Sequence, residues 1–223
     1  MPNRPEVVVF DVNETLSDMS VLGQRFADVG ADASLAPTWF AGLLRDGLAL
    51  TVAGSGERFA TLAREGLLGV LGGVDLDRDV EAAADHVMAG FNGLDVHPDV
   101  AEGVRGLAAA GLRLVTLTNG GSAVPEGLLH RAGLREHFEM LLTVEDAGVW
   151  KPAPGAYGYA AERCGVDAAA MLMVAVHPWD IDGAARAGLQ TAWVDRTGAR
   201  YPTYFRRPDR TVTGVDALAS QLG

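Results

Sequence analysis

The chain has 223 residues, of which 48% are hydrophobic and 21% are charged, as in an ordinary globular enzyme. Its net charge of −11 argues against a general binder of nucleic acid or anionic membranes, but not against a small anionic substrate held by a few local cations. The single cysteine, Cys164, excludes an internal disulfide. Residues 1–6 show no signal-peptide pattern and no apolar run could cross a bilayer, so we expect a cytoplasmic protein.

The first predicted strand leads directly into a carboxylate. Val7–Phe10 is an apolar, β-branched run, which is typical of a strand buried on both faces of a parallel sheet. Asp11 follows it, and open α/β sheets place their active sites at the carboxyl ends of strands. Asp11 is therefore a candidate catalytic residue, although an aspartate there could also simply cap a helical turn.

Apolar spacings of three and four then predict helices over residues 19–30, 37–52, 57–71 and 79–92. Residues 16–93 are interpreted as a helical insert, after which strands and helices alternate with short links. The further strands are predicted over residues 112–117, 140–143, 171–176 and 190–194. This alternation indicates an α/β fold with a doubly wound parallel sheet.

Three more groups of polar residues lie at or just after predicted strand ends. Thr118 and Asn119 open a turn whose backbone amides precede a helix, an arrangement that can bind an anion. Lys151 could offset the charge of an anionic substrate, and His177 and Asp180 begin a further helix. Each also has a purely structural interpretation. Thr118 and Asn119 could form an ordinary turn, and Lys151 could be a surface charge. His177 could be a packed histidine, and Asp180 could be a carboxylate that stabilises a helix N-terminus.

The order and spacing of these groups resemble the four motifs of the haloacid dehalogenase (HAD) superfamily. The segments Asp11-Val12-Asn13-Glu14-Thr15-Leu16, Leu117–Gly121, Trp150–Pro154 and Trp179–Ala184 carry the resemblance, and with Ala192–Arg196 they look like type II L-2-haloacid dehalogenases. The resemblance implies a Rossmann-like HAD core over residues 1–15 and 94–223, with a helical cap domain over residues 16–93.

The resemblance also implies roles for individual residues. Asp11 would attack C2 of the substrate and form an ester, which water then hydrolyses. The residues that would take part in catalysis are Asp11, Thr15, Lys151, His177 and Asp180. The residues that would bind the substrate are Asn13, Arg45, Thr118, Asn119 and Tyr157.

Two positions separate this chain from the metal-dependent phosphatases of the superfamily. Asn13 stands where those enzymes carry an acid that protonates an alkoxide leaving group, and an amide cannot do so. Val176 stands where they carry an acidic magnesium ligand, and an aliphatic side chain cannot bind a hard cation. We therefore expect no metal and no other cofactor. A departing halide, a weak base, needs no proton.

Three positions depart from the dehalogenases themselves. Ala175 and His177 replace a serine and an asparagine that help to order the hydrolytic water, so His177 is a candidate polar anchor or base. Phe40 lies at or beside the position of an arginine that binds the leaving halide, and Arg45 is the nearest cation downstream.

The leading hypothesis is metal-independent hydrolytic dehalogenation of short 2-haloalkanoic acids to 2-hydroxy acids. One alternative is a magnesium-dependent phosphatase that acts on a small phosphate ester. A second is a catalytically silent HAD-like protein that binds a small anion or a partner. The expected partner is a small anionic substrate, with no nucleic acid and no membrane, and a homodimer is left open.

Overall fold

The structure, a computed structural model, describes residues 4–223. Residues 1–3 lie outside this range, although the predicted core domain and the stretch inspected for a signal peptide both include them. The chain divides into two compact units, Met1–Ser17 with Asp95–Gly223, and Asp18–Leu94. The first is an α/β unit and the second is a helical unit. The bounds of the helical unit compare with the residues 16–93 that were predicted from the sequence.

The α/β unit contains a sheet of six parallel strands, and the predicted α/β fold class is confirmed. The strands are β1 (Val7–Phe10), β2 (Arg113–Thr118), β3 (Phe138–Thr143), β4 (Met171–Ala175), β5 (Gln190–Val194) and β6 (Arg210–Val212). Their order across the sheet is β3-β2-β1-β4-β5-β6, so β1 lies between β2 and β4. All four residues of β1 are buried, as the β-branched run predicts.

Ten α-helices accompany these strands within the described residues. They are α1 (Leu22–Ala27), α2 (Leu35–Val52), α3 (Phe59–Leu71), α4 (Val80–Asn92), α5 (Val100–Ala109), α6 (Ala123–Arg131), α7 (Val144–Ala147), α8 (Pro154–Cys164), α9 (Pro178–Arg186) and α10 (Val215–Leu222). The first four form the helical unit and the others belong to the α/β unit. Among residues 4–223, no helix is both long and apolar enough to cross a membrane.

The helical unit has an aromatic core of its own. Trp39 lies at its centre, with ring centroids 6.2 Å from Phe26, 6.2 Å from Phe40 and 5.9 Å from Phe91. The buried indole N–H of Trp39 donates to the carbonyl of Ala63 at 2.9 Å, which satisfies its one polar atom. Phe40, at or beside the position where the resemblance expected an arginine, is buried in this core.

The structure also contains elements that the sequence did not reveal. Strand β6 is only three residues long and begins with a partly buried arginine, so it offers no apolar run or alternation to recognise. The four-residue helix α7 is too short to show periodicity, and α10 was likewise not predicted. Where the patterns were strong the agreement is close, since β5 has the predicted bounds of residues 190–194.

Candidate active site

The sheet topology brings three of the predicted groups to one edge. Phe10 of β1 is in register with Thr116 of β2 on one side and with Val174 of β4 on the other. Because all three strands are parallel, the residues that follow them lie at the same carboxyl edge. Asp11 therefore has a neighbouring strand end on each side.

A buried lysine lies between two buried carboxylates. The Lys151 ammonium donates to Asp11 Oδ1 at 2.9 Å and to Asp180 Oδ2 at 2.6 Å. Lys151 and Asp180 are fully buried, and Asp11 is 4% exposed. Charges this far from water persist only when they are paired and hydrogen-bonded, so these three groups form one ionic cluster.

The cluster holds Asp11 in its charged form. Burial opposes ionisation of Asp11, but the Lys151 ammonium, together with donors from His177 and Thr15, keeps its pKa far below the usual range. Burial also opposes the charge of Lys151, but the two carboxylates outweigh it and raise the lysine pKa. At Asp180, burial and the charge of Asp11 raise the pKa, and Lys151 opposes them.

The backbone of Lys151 is fixed by Asn119. Its N–H donates to Asn119 Oδ1 at 2.9 Å, and its carbonyl accepts from Asn119 Nδ2 at 3.1 Å. The Asn119 amide therefore uses one donor and its acceptor within the protein. The Thr118 hydroxyl, which is fully buried, accepts from the N–H of Gly120 at 2.9 Å.

Asp180 is fixed by the tyrosine that the sequence assigned to substrate binding. The fully buried Tyr157 hydroxyl donates to Asp180 Oδ1 at 2.6 Å. Burial and the neighbouring carboxylate raise the Tyr157 pKa well above its usual value, so the hydroxyl keeps its proton. Lys151 and Tyr157 thus engage one oxygen of Asp180 each.

Helix α9 approaches this cluster closely because it carries a glycine. A Cβ atom added to Gly183 would lie 2.5 Å from Pro152 Cβ and 2.7 Å from the Tyr157 hydroxyl. Any side chain at this position would therefore displace α9, which holds Asp180, from the segment that holds Lys151. This requirement was not predicted from the sequence.

The hydrogen-bond direction at Thr15 is unambiguous. Its hydroxyl accepts from the backbone N–H of Val176 at 3.1 Å, and a backbone N–H can only donate. The single proton of the Thr15 hydroxyl is consequently directed at Asp11 Oδ2, 2.6 Å away. This contact ties the nucleophile candidate to the end of β4.

On its other side, Asp11 faces a histidine that contacts a second carboxylate. His177 Nδ1 lies 3.2 Å from Asp11 Oδ2, and His177 Nε2 lies 2.7 Å from Glu14 Oε2. Burial lowers the pKa of His177, but the two carboxylates outweigh it and raise it from 6.5 to about 9. The ring is therefore an imidazolium at neutral pH and donates from both nitrogens. Its side chain is 12% exposed and that of Glu14 is 43% exposed.

Glu14 was not singled out from the sequence, and its backbone is unusual. Among residues 4–223 it is the only non-glycine residue with a positive φ, at 63°. Its N–H donates to Ser17 Oγ at 3.3 Å, and its carbonyl lies 3.0 Å from His97 Nε2. The following turn is held by Arg196, which donates to the carbonyl of Thr15 at 3.0 Å.

Two further predicted site residues stand apart from these contacts. Asn13 is 6% exposed, and its side-chain oxygen has no hydrogen-bond partner among the described residues. Arg45 lies on α2 in the helical unit, where its side chain is 74% exposed and pairs with Asp46 at 2.7 Å. Within residues 4–223, no group of three or more histidine, cysteine, aspartate or glutamate side chains is arranged to hold a metal ion.

A fold of this kind, with a buried lysine between two carboxylates at the strand ends, defines a hydrolase of the HAD type. The family model described as haloacid dehalogenase-like hydrolase matches residues 5–188, and the chain belongs to that family. Haloacetate dehalogenase H-2 of Moraxella sp. (strain B) is 30% identical over 96% of both chains. (S)-2-haloacid dehalogenase 4A of Burkholderia cepacia is 30% identical over 85% of this chain and 83% of its own.

A solved structure supports the same assignment. The L-2-haloacid dehalogenase from Xanthobacter autotrophicus with chloropropionic acid covalently bound has a TM-score of 0.88 and 26% identity, with 98% of each chain covered. The suspected family is thereby confirmed, as is the assignment of the protein as a hydrolase. The substrates in these names are those of the relatives themselves.

Proposed function

We propose that this protein is a hydrolytic dehalogenase of short 2-haloalkanoic acids, with a preference for the (S) configuration and with haloacetates among its substrates. The names of the relatives support the substrate class. The observation that carries the proposal is the state of Asp11, which is buried, charged and contacted by Lys151, Thr15 and His177. Such a carboxylate is an oriented nucleophile.

In the first step, an Asp11 oxygen attacks C2 of the substrate, the carbon–halogen bond breaks, and the halide leaves with the bonding electrons. The product of this step is an ester between Asp11 and the 2-carboxyalkyl group. Lys151 and the His177 imidazolium are the cations that face Asp11, and they offset repulsion between its carboxylate and the anionic substrate. No proton has to reach the halide, which fits an amide at Asn13.

In the second step, water attacks the carboxyl carbon of the Asp11 ester, and the 2-hydroxy acid departs. This restores the carboxylate with one oxygen that came from water. We assign removal of the water proton to His177, because Lys151 and Tyr157 engage both oxygens of the fully buried Asp180. His177 contacts Asp11 directly and is partly exposed.

The contacts change two of the predicted substrate-binding roles and leave two as they were. Tyr157 and Asn119 serve as positioning residues, since their polar groups contact Asp180 and Lys151 respectively. Asn13 remains a candidate substrate contact because its buried oxygen has no partner within the described residues. Arg45 remains a candidate for the leaving halide.

The proposal is tested by halide release from a panel of 2-chloro, 2-bromo and fluoro acids, as both enantiomers, with and without EDTA. We expect release that survives the chelator and falls to background in Asp11→Asn, with Asp11→Ala as a control against slow deamidation. Absence of halide release from every acid, or release of phosphate from p-nitrophenyl phosphate that depends on magnesium, would contradict the proposal.

A further inference from the structure

The structure shows a second carboxylate-to-histidine contact beside the nucleophile, at a residue that the motifs do not mark. We propose that Glu14 is a positioning residue that fixes the tautomer of His177, so that Nδ1 becomes the base for hydrolysis of the Asp11 ester. This inference rests on the proposed function, and it assigns to Glu14 a role in the second step alone.

The argument begins with the two nitrogens of one ring. Nε2 of His177 lies 2.7 Å from Glu14 Oε2, and Nδ1 lies 3.2 Å from Asp11 Oδ2. An ionised carboxylate can only accept hydrogen bonds, so each nitrogen carries a proton while both carboxylates are charged. In the resting enzyme His177 is therefore a cation and cannot act as a base.

Formation of the ester removes one of the two carboxylates. Asp11 then carries no charge, and its ester oxygens accept hydrogen bonds more weakly, so the proton on Nδ1 loses its strongest partner. Glu14 is unchanged and still accepts from Nε2. The ring then releases one proton to solvent, which balances the charge of the halide that left in the first step. The proton that remains is on Nε2, and the lone pair is on Nδ1, the nitrogen that faces Asp11.

The second step is then balanced in protons and bonds. Nδ1 takes a proton from water as the water oxygen bonds to the carboxyl carbon of Asp11. The tetrahedral intermediate collapses, the bond from that carbon to the substrate oxygen breaks, and the departing oxygen takes the proton from Nδ1. The second water proton then passes from the new Asp11 carboxyl group to Nδ1, which restores the carboxylate and the imidazolium. Glu14 stabilises the transient imidazolium, as the carboxylate of a serine–histidine–aspartate triad does. The charged groups next to the ring are Asp11 and Glu14, with Lys151 and then Asp180 beyond Asp11.

The backbone of Glu14 supports a specific function for its side chain. A φ of 63° suits glycine and is strained for a residue with a side chain. Ser17 and His97 hold the backbone N–H and carbonyl in this conformation. Glycine would adopt it without strain, so a purely structural role for position 14 favours glycine, whereas the carboxylate at Nε2 requires glutamate.

Two substitutions separate these roles. Glu14→Gln keeps the size of the side chain but removes the charge, and Glu14→Gly also relieves the backbone. In a single turnover we expect both variants to release halide within a few-fold of the wild-type rate. Ester hydrolysis should slow by about a hundredfold or more, since loss of the correct tautomer in a triad costs up to about 10⁴. The mass of the peptide that contains Asp11 should then show trapped ester, and Glu14→Asp should restore part of the rate.

The pH dependence of ester hydrolysis gives a second readout. In the wild type, hydrolysis should rise with pH as His177 loses its proton, and in Glu14→Gln the rise should move to lower pH because the imidazolium has lost its partner. Unchanged hydrolysis in Glu14→Gln and Glu14→Gly would overturn the inference. Equal slowing of both steps with no trapped ester would also overturn it.

The inference can be tested even if the proposed function fails. The nitrogen NMR shifts of His177 report its tautomer and titration without any substrate. In Asp11→Ala, which mimics the lost charge of the ester, we expect the His177 pKa to fall and the neutral ring to be protonated at Nε2. Adding Glu14→Gln should give a mixture of tautomers. A neutral ring protonated at Nδ1 in Asp11→Ala would overturn the inference, whereas a wild-type enzyme that releases no halide would contradict only the proposed function.

Discussion

On one side of Asp11 lie Lys151, Asp180 and Tyr157, all fully buried; on the other lie His177 and Glu14, which are partly exposed. The residues of the buried side are ones that the resemblance singled out. The exposed side departs from it, since His177 stands where an asparagine was expected, and Glu14 came to attention only through its contacts.

This difference separates two requirements of the proposed reaction. The first step needs a charged carboxylate in a fixed orientation, and the buried side supplies it, because low exposure strengthens each ion pair. The second step needs water and a group that can give up a proton, and those require some access to solvent. We therefore expect changes on the buried side to affect stability and ester formation. Changes on the exposed side should affect ester hydrolysis and the pH dependence of both hydrolysis and stability.

The largest effect should follow from Lys151→Met. It leaves the carboxylates of Asp11 and Asp180 without their shared cation, and removal of one partner from a buried ion pair typically costs about 3–5 kcal/mol. The Asp11 pKa should rise, so the acid limb of kcat/KM should move to higher pH. Urea unfolding and a pH profile measure both effects. Arg186→Met, which breaks an exposed pair with Asp182, is the control and should change little. Equal stability of the two variants would contradict the buried cluster.

The exposed side should be visible in the pH dependence of stability. His177 has a pKa of about 9 in the folded protein and 6.5 as its ordinary value, so the folded state binds the proton more tightly. Its contribution, about 3 kcal/mol, is complete below pH 6.5 and is lost as the pH rises towards 9. The free energy of unfolding of the wild type should fall across this window relative to that of His177→Asn. Parallel curves for the two proteins would show that folding does not raise the His177 pKa.

A smaller change on the buried side should come from Gly183→Ala. The added methyl group would meet Pro152 and the Tyr157 hydroxyl at 2.5–2.7 Å, and such overpacking typically costs about 1–3 kcal/mol. Displacement of α9 should also slow ester formation. Gly158→Ala on α8, where a Cβ would meet nothing within 4 Å, is the matched control and should be neutral or slightly stabilising. Thermal unfolding and the halide burst distinguish the two variants, and identical behaviour would disprove the close approach.

Arg45→Ala should have the smallest effect. If the Arg45 guanidinium binds the leaving halide, its loss slows ester formation and leaves hydrolysis of preformed ester unchanged. We expect less than the roughly hundredfold loss typical of a buried, fixed donor, because Arg45 is exposed and screened. Arg25→Ala, on α1 of the same unit, is a charge-matched control for the halide burst. Full activity in Arg45→Ala would remove it from the site.

The fold was predictable where burial imposes a pattern on the sequence. The apolar runs of β1 and β4 and the helical spacings before residue 93 follow from periodicity, and so does the placement of Asp11 at a strand end. Strand β6 and helix α7 were missed because three or four residues carry no period. Tertiary pairing and not local preference forms β6.

Within the site, motif spacing indicated which residues to consider but not which atoms they contact. Tyr157 illustrates this, since its position was recognised and its hydrogen bond to Asp180 was not. The Gly183 contact and the pairing of Glu14 with His177 depend on segments that meet only after folding. No spacing within the chain encodes them. The only signal was the histidine at position 177, where the resemblance expected an asparagine.

The central claim, that Asp11 forms an ester which water cleaves at the carboxyl carbon, is tested most directly by one measurement. Excess enzyme is allowed a single turnover of an (S)-2-haloalkanoate in water enriched in heavy oxygen. The account predicts that the 2-hydroxy acid carries little label and that the peptide containing Asp11 becomes heavier. Label in the hydroxy acid from the first turnover, with Asp11 unlabelled, would show that water attacks the substrate directly and would contradict the account.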